Sequence, residues 1–185
     1  AGLEPKPGRN FGGERVGYVV PELEVVREGE GYEVRLKRER LPRLRINRQY
    51  RQMFEDPNTP EETRAYLREK IQSALLLARN IDQRNQTLLN VAKEIVRRQH
   101  RFFEEGVSGL EPLTMAEVAR TLGLHETTVS RAVNGKYVET PRGVFELRSF
   151  FTGGFQTADG RMISNEAVKD LIARWIQEED PSKPF

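Results

Sequence analysis

The sequence of 185 residues contains no cysteine, which excludes a disulfide framework and a thiolate metal site. Proteins kept in a reducing compartment commonly have this composition, so we expect a cytoplasmic location. The two histidines, His100 and His125, are far apart in the chain and have no second nitrogen or sulfur ligand nearby, so we expect no metal. No apolar run approaches the roughly 20 residues that cross a bilayer, which predicts no membrane partner.

The motifs of catalysis are also missing. The glycine-rich stretches PGRNFGGERVG and EGEG lack the Lys-Ser/Thr pair of a phosphate-binding loop. No nucleophile has an evident base partner, and the carboxylate pairs Glu61–Glu62 and Glu104–Glu105 are typical of surface charge at helix ends. We therefore predict that the protein is not an enzyme and holds no cofactor.

Positive charge is only slightly in excess, with 30 Lys and Arg against 28 Asp and Glu, but it is unevenly distributed. Positions 35–51 contain one acid and a block of basic residues, which are Arg35, Lys37, Arg38, Arg40, Arg43, Arg45, Arg48 and Arg51. Such a block is typical of a solvated face and suits an anionic partner equally well.

The first third of the chain predicts little regular structure. Residues 1–16 are rich in glycine, proline and charge and lack an initiating Met, which predicts a disordered lead-in at the edge of a fragment. Apolar runs at 23–26 and 32–36, separated by EGEG, predict a β-hairpin that is small at most. LPRLRINRQYRQMF then predicts extended chain followed by helix, and EDPNTP interrupts it.

The next segment predicts one very long helix over 60–106, because it has no proline or glycine between its ends. TPEE predicts the start, with Thr59 as the cap and Pro60 in the first position. Apolar residues then recur at alternating steps of four and three, with Asn85 and Gln99 as exceptions. Two helices with a break near RNIDQRNQT are one alternative, and the seam of a coiled-coil dimer is another.

The stretch EVARTLGLHETTVSRAVNGKY lies in a compact unit over 110–185. Thr114 and Glu117 form the capping box T-M-A-E, which predicts a helix start. Gly123 stands where the chain leaves that helix in a left-handed conformation, and a second helix is predicted from Glu126. The inward residues are Val118, Ala119, Leu122, Leu124, Val129, Ala132 and Val133. This register predicts a helix-turn-helix, and an ordinary helical hairpin with a hydroxyl-rich surface is the alternative.

The outward side of the second helix carries candidate contacts to DNA. Arg131 can pair bidentately with guanine in the major groove, and hydroxyl or amide side chains beside it can reach bases or phosphates. These neighbours are Thr127, Ser130 and Asn134, with Thr128 to the side. Lys136, Tyr137 and Arg142 follow the helix and are predicted to touch backbone phosphate. His125 is interpreted as a plain turn residue, with a phosphate contact as the alternative.

The end of the chain predicts mixed structure. TPRGVFELRSFFTGGFQTADGRM is interpreted as part helix and part glycine-rich loop, and RSFF with Phe102 and Phe103 as core. Ser164 predicts the cap of a last helix, whose apolar face is formed by Val168, Leu171, Ile172, Trp175 and Ile176. We expect that face to dock on the preceding unit.

Two families share features with these motifs. TTVSRAVNGK alone resembles the headpiece of LacI-type repressors, but those proteins carry it at the N-terminus, before a large α/β domain. A second resemblance covers nearly the whole chain, through YVVPELEVV, LPRLRIN, RNQTLLNVAKEIVRRQHRFFEEG, LHETTVSRAVNGKYVETPRGVFELRSFF and EEDPSKPF. Together these segments resemble the sigma-54 class of bacterial transcription initiation factors. Several separated motifs in one order are far more specific than one helix-turn-helix.

The second resemblance implies a monomeric subunit that binds core RNA polymerase and holds it on promoter double-stranded DNA as a closed complex. An AAA+ activator ATPase then opens the DNA. It implies a core-binding region over 17–58, with a polymerase-side or DNA-side role for the basic block. The helix-turn-helix would meet the start-site-proximal element, with Arg131 in the position of the base-reading arginine. Arg84 would lie on the long helix near where melting begins.

Two parts of the family pattern are missing, the glutamine-rich N-terminal region that restrains melting and the C-terminal box that reads the upstream element. The resemblance therefore implies that this fragment binds promoter DNA weakly alone, and that the activator acts through regions absent from it.

The sequence as a whole predicts a mainly α fold. Its parts are a small β-hairpin or extended N-terminal piece, one very long helix, and a helix-turn-helix domain with an additional C-terminal helix. Two rival functions stay open, a stand-alone repressor that binds a palindrome as a dimer, and a coiled-coil adaptor without a DNA role.

Overall fold

The computed structural model describes residues 19–29, 31–37, 45–156 and 162–178. The lead-in predicted over 1–16 lies outside the described residues, as do Arg38, Arg40 and Arg43 of the basic block. The described chain is mostly helical with a small sheet, as predicted, and it is organised around one long helix.

That helix, α2, spans Glu61–Arg98 and is about 57 Å long at 1.5 Å per residue. It is continuous through RNIDQRNQT, so the prediction of one helix is confirmed there. The prediction of one helix as far as residue 106 is wrong, because α2 ends at Arg98 and a turn at Gln99 separates it from the short α3, His100–Glu105. The Phe102 N–H donates to the Gln99 carbonyl at 3.0 Å, a bond to the third residue back that tightens the chain at this point.

The predicted Thr59 cap is wrong. The cap residue of α2 is Pro60, and its side chain makes no capping hydrogen bond. The Thr59 hydroxyl instead donates to the Met53 carbonyl at 2.7 Å, in the last turn of helix α1, Arg48–Glu55. Arg64 donates to the Asp56 carbonyl at 3.0 Å across the same corner. Thr59 and Arg64 therefore fix the turn between α1 and α2.

The hairpin predicted on either side of EGEG is confirmed as β1, Leu23–Glu28, and β2, Gly31–Leu36. It belongs to a larger sheet, however, so the expectation of a hairpin at most is wrong. Strands β3, Tyr137–Thr140, and β4, Gly143–Glu146, extend it in the order β2-β1-β3-β4. β1 runs parallel to β3, with Leu23 opposite Val138, and the other pairs are antiparallel.

TPRGVFELRSFF is the first half of the segment interpreted as part helix and part glycine-rich loop. It contains strand β4, which that interpretation did not include. Val144 and Phe145 favour a strand, and Gly143 adopts φ 123°, a conformation open to glycine, where β4 leaves its turn. Only Leu147–Phe150 forms a helical turn, of the 3-10 type. The aromatic residues are core, as predicted. Phe102 lies 5.3 Å from Phe103 and 5.1 Å from Phe150, between ring centroids, and all three are buried.

The last helix, α6, spans Asn165–Glu178 and follows the two-stranded pair β5, Gly154–Gln156, and β6, Met162–Ser164. The Ser164 hydroxyl accepts from the Ala167 N–H at 3.1 Å, which confirms the predicted cap. Docking occurs only at the start of α6, where Ala167 is buried and the helix meets the turn Val107–Gly109. The apolar face further on is exposed, so the expectation that it docks on the preceding unit is wrong for Leu171, Ile172, Trp175 and Ile176.

Among the helices of the described chain, none combines the length and the apolar character that a membrane span requires.

Candidate nucleic-acid interface

Helix α4, Met115–Leu122, begins at the predicted capping box. The Thr114 N–H donates to the Glu117 carboxylate at 2.8 Å, and the Glu117 N–H donates to the Thr114 hydroxyl oxygen at 3.2 Å. The hydrogen bond from the Thr114 hydroxyl, and then the one from its N–H, hold the pKa of Glu117 below its usual range. Val118 and Ala119 are buried on the inner face, as predicted.

The turn after α4 has the predicted left-handed glycine. Gly123 adopts φ 65° and ψ 30°, and the next N–H, of Leu124, donates back to the Ala119 carbonyl at 2.9 Å. His125 does more than the sequence indicated. It is the cap residue of helix α5, Glu126–Val133, and its Nδ1 accepts from the Thr127 N–H at 3.2 Å. Histidine is not among the usual capping residues, so pattern analysis gave no signal for this role.

Helix α5 has the two faces that its spacing predicts. Val129 and Val133 are fully buried, while the opposite side is exposed at Thr127, Thr128, Arg131 and Asn134. Ser130 is half-buried, so it lies at the border of that face. The Arg131 side chain makes no hydrogen bond or ion pair with any residue that the structure describes. A cation without a partner among the described residues is therefore presented on the exposed face, in the last turn of α5.

The predicted phosphate contacts after α5 have internal partners. The chain turns at Gly135, with φ 63°, and the Lys136 ammonium then forms an ion pair with the Glu22 carboxylate. Tyr137 begins β3 and is half-buried, and its carbonyl accepts from the Glu22 N–H at 3.1 Å. Contact of Lys136 and Tyr137 with DNA stays a prediction, but Lys136 would have to exchange one partner for another.

Arg142 also has a structural contact. It sits at the turn between β3 and β4, where its Nε donates to the Phe103 carbonyl at 2.8 Å and its Nη2 donates to the Glu104 carbonyl. These carbonyls are at the C-terminal end of α3, where a cation is favoured. Arg142 therefore ties the β3–β4 turn to the helix that continues from α2. Its phosphate contact stays a prediction, in competition with these bonds.

Arg84 is brought next to the end of α5 by the packing of α2. A cavity of about 420 Å³ is bordered by Arg84 from α2, by Ala132 of α5, and by Lys136. Lys37 and Glu22 border it from the hairpin side. Three cationic side chains thus surround one carboxylate, and the exposed Arg84 has no hydrogen bond or ion pair within the described parts of the chain.

The described members of the basic block are mostly paired with acids. Arg35 Nε donates to the Glu33 carboxylate at 2.6 Å, and this hydrogen bond raises the pKa of Arg35. Lys37 forms an ion pair with Glu139, and Arg51 lies 3.5 Å from Glu55. The charges of Arg35, Lys37 and Arg51 are therefore balanced locally.

A polar cluster that the sequence did not indicate holds α4 against α2. The Glu94 carboxylate is buried and accepts from Arg97 Nε at 2.8 Å and from Arg98 Nε at 2.7 Å. Arg98 then donates from Nη2 to the Thr121 hydroxyl at 3.0 Å, which bridges to α4. These hydrogen bonds, the one from Arg97 first, lower the pKa of Glu94 to about 2. The cluster fixes the α4–α5 pair relative to the long helix.

Comparison with known protein families gives two matches that follow each other along the chain. The family model described as the sigma-54 factor core binding domain matches residues 1–50. The model described as the sigma-54 DNA binding domain matches residues 64–185, which include most of α2 and everything after it.

Individual relatives agree with the family models. The RNA polymerase sigma-54 factor of Vibrio anguillarum is 36% identical over 183 residues, which are 99% of this chain and 37% of that protein. RNA polymerase sigma-54 factor 1 of Bradyrhizobium diazoefficiens is 41% identical over 182 residues, 97% of this chain and 38% of that protein. The chain thus spans little more than a third of the curated relatives it matches.

A solved structure shares the fold. The crystal structure of Aquifex aeolicus sigmaN bound to promoter DNA superposes with a TM-score of 0.61 at 28% sequence identity. The match covers 91% of this chain and 49% of that one. With one family model spanning more than half of the sequence and the second preceding it in order, the chain belongs to the sigma-54 family.

Proposed function

We propose that this chain is part of an alternative sigma factor that binds core RNA polymerase and directs it to promoter DNA. The α4–α5 pair is a helix-turn-helix in this proposal, and α5 is the helix that reads the start-site-proximal element. The observation that carries the proposal is the exposed face of α5, where Arg131 has no partner within the described parts of the chain and stands among hydroxyl and amide groups.

The chemistry of that face suits the major groove of B-form DNA. The groove admits one α-helix, and arginine pairs bidentately with the two acceptors of guanine. Thr127, Thr128 and Asn134 can donate to bases or phosphates on either side of Arg131. The opposite face of α5 is held by buried valines, so the guanidinium is presented from a rigid support.

The rest of the chain is assigned by analogy with the relatives. Solved sigmaN is described as bound to promoter DNA, and the relatives are named as RNA polymerase factors. We assign core binding to residues 17–58, the extra-long helix to α2, Glu61–Arg98, and DNA binding to 110–185. We place Arg84 near the DNA where melting begins, because it lies beside the end of α5. In the whole protein, opening depends on an ATP-driven activator.

The base-reading role is tested by Arg131→Ala. Fluorescence anisotropy is measured on a promoter duplex and on duplexes with single base pairs substituted in the proximal element. We expect the binding free energy on the promoter duplex to fall by about 1–3 kcal/mol. We also expect the variant no longer to discriminate between the promoter base and its substitutes at one or two base pairs. Arg79→Ala is the control. It removes an exposed arginine of α2 and should leave discrimination between base pairs unchanged. An equal loss on every duplex would contradict base reading and indicate a phosphate contact.

Core binding is tested separately by capture of purified core RNA polymerase on the immobilised chain. The parent chain and Arg131→Ala should capture the enzyme equally, because Arg131 is assigned to DNA alone. A repressor or a coiled-coil adaptor should capture none. Light scattering on the same samples distinguishes a monomer from the dimer that a palindrome-binding repressor requires.

A further inference from the structure

Three groups of Glu22 contact neighbouring segments, two of them in the segment after α5 and one at the end of β2. Its N–H donates to the Tyr137 carbonyl at 3.1 Å, and its carbonyl accepts from the Lys37 N–H at 2.9 Å. Its carboxylate forms the ion pair with Lys136. The backbone of Glu22 is thus fixed between β2 and β3, and its side chain is directed to the residue that follows the turn at Gly135.

Lys136 is equally constrained. Its N–H donates to the Val133 carbonyl at 3.1 Å, in the last turn of α5, and its carbonyl accepts from the Leu147 N–H at 2.8 Å. The Lys136 side chain is only 20% exposed. An ammonium held in this way beside a carboxylate is not presented to solvent as a phosphate contact would be.

We infer that Glu22 is a positioning residue for the DNA-reading helix. Its carboxylate holds Lys136 and thereby fixes the end of α5 against the hairpin and against α2, whose Arg84 borders the same cavity. Lys136 then contributes to DNA reading through this contact and not by neutralising a phosphate. The inference rests on the proposed function of α5.

The Glu22–Lys136 ion pair joins the two parts of the chain that match different family models. Glu22 lies within residues 1–50, which match the core-binding description, while Lys136 lies within the DNA-binding match. The β1–β3 pairing and the Lys37–Glu139 ion pair cross the same boundary. The β1–β2 hairpin is therefore a structural part of the DNA-reading unit. A partner bound to the hairpin can alter the position of α5.

The test compares Glu22→Gln, Lys136→Met, and the exchanged double variant Glu22→Lys with Lys136→Glu. Anisotropy is measured on promoter and base-substituted duplexes between 50 and 200 mM salt, the interval over which phosphate contacts have large effects. We expect both single variants to lose promoter discrimination by a similar factor, about three- to tenfold, with an unchanged slope of log K against log salt. The exchanged variant should recover most of the discrimination.

Two further variants control for the fold. Lys136→Arg keeps the ion pair and should retain the discrimination of the parent, even if Lys136→Met is poorly folded. Glu24→Gln removes a neighbouring carboxylate from β1 and should have no effect. Thermal unfolding of each variant ensures that binding is compared well below its transition, where a general loss of stability does not change discrimination.

Three results would overturn the inference. In the first, Lys136→Met flattens the salt slope by about 0.9, as expected for a lost phosphate contact, and Glu22→Gln leaves binding unchanged or stronger. In the second, neither single variant alters discrimination. In the third, both lose discrimination and the exchanged variant recovers none. If the parent chain itself does not discriminate promoter from random duplex, the proposed function fails as well, and this outcome is distinct from all three.

Discussion

The two halves of α2 have the same apolar spacing but different surroundings. From Leu88 onward the seam is buried, at Leu88, Ala92, Ile95 and, beyond the helix, Gln99 and Phe102. Between residues 68 and 87 no side chain is buried, and Leu76 is 60% exposed. The second half is thus the centre of the core, and the first half extends from it as an exposed rod that ends near α1, with Leu67 buried there.

The heptad pattern of α2 does not by itself decide what packs against the helix. Spacing fixes which residues share a face of the helix, but not what covers that face. In the second half the seam is covered by the same chain, through β2, α4 and α5. A coiled-coil dimer along the whole helix would require that face for a second copy. Among the residues that the structure describes, the first half of α2 is the part whose seam is left open to an outside partner.

The largest expected effect on stability is that of an isoleucine-to-alanine substitution in the second half of α2, compared with the same substitution in the first half. Ile95→Ala removes a fully packed side chain and should lower the free energy of unfolding by about 2–5 kcal/mol. Ile71→Ala, at a half-buried seam position of the first half, should cost less than about 1 kcal/mol, because alanine also favours the helix. Urea unfolding followed by far-UV circular dichroism measures both. Equal losses would show that the first half is packed against something and would remove the distinction between the halves.

The α4–α5 pair could be predicted from the sequence because each of its signals is local. The capping box joins residues three apart, Gly123 needs only its own conformation, and the inward valines follow the helical period. The exposed position of Arg131 follows from the same period. Local signals of this kind are complete within one element and do not depend on what packs beside it.

What could not be predicted depends on contacts between distant segments. Nothing in YVET indicates that it pairs with LEVVRE, more than a hundred positions earlier, because parallel pairing leaves no local signal. The engagement of Arg142 with α3 and of Lys136 with Glu22 likewise requires the folded sheet. An exposed cation and an internally paired cation look alike in a sequence, so Arg131 and Lys136 could not be distinguished there.

The second prediction concerns Gln99, a polar residue at a seam position that is fully buried. Its side chain donates to the Glu111 carbonyl at 2.7 Å and accepts from the Glu111 N–H at 2.9 Å. Gln99→Leu fits the apolar pattern better but leaves these backbone groups without partners. We expect a loss of about 1–3 kcal/mol in unfolding free energy. Gln72→Leu, on the exposed half, should change it by less than about 0.5 kcal/mol. An unchanged or increased unfolding free energy for Gln99→Leu would contradict this expectation.

The smallest effect is a pH dependence confined to the second half of α2. In the folded protein the pKa of Glu94 is about 2, below its usual value of 4.5. The ionised carboxylate therefore stabilises the fold, and this contribution is complete above about pH 4.5. This contribution is lost as the pH falls from about 4.5 through 2. Glu94→Gln should cost about 1–2 kcal/mol at pH 6, limited by solvent screening of the arginine ends, and progressively less towards pH 2. Glu69→Gln, on the exposed half, should follow the parent at every pH. Urea unfolding of Glu94→Gln and the parent at pH 6, 4 and 3 measures this difference. A loss of unfolding free energy that is the same at all three pH values would contradict the role of the charge. It would assign the loss to the shape of the side chain, because the loss would not depend on whether Glu94 is ionised.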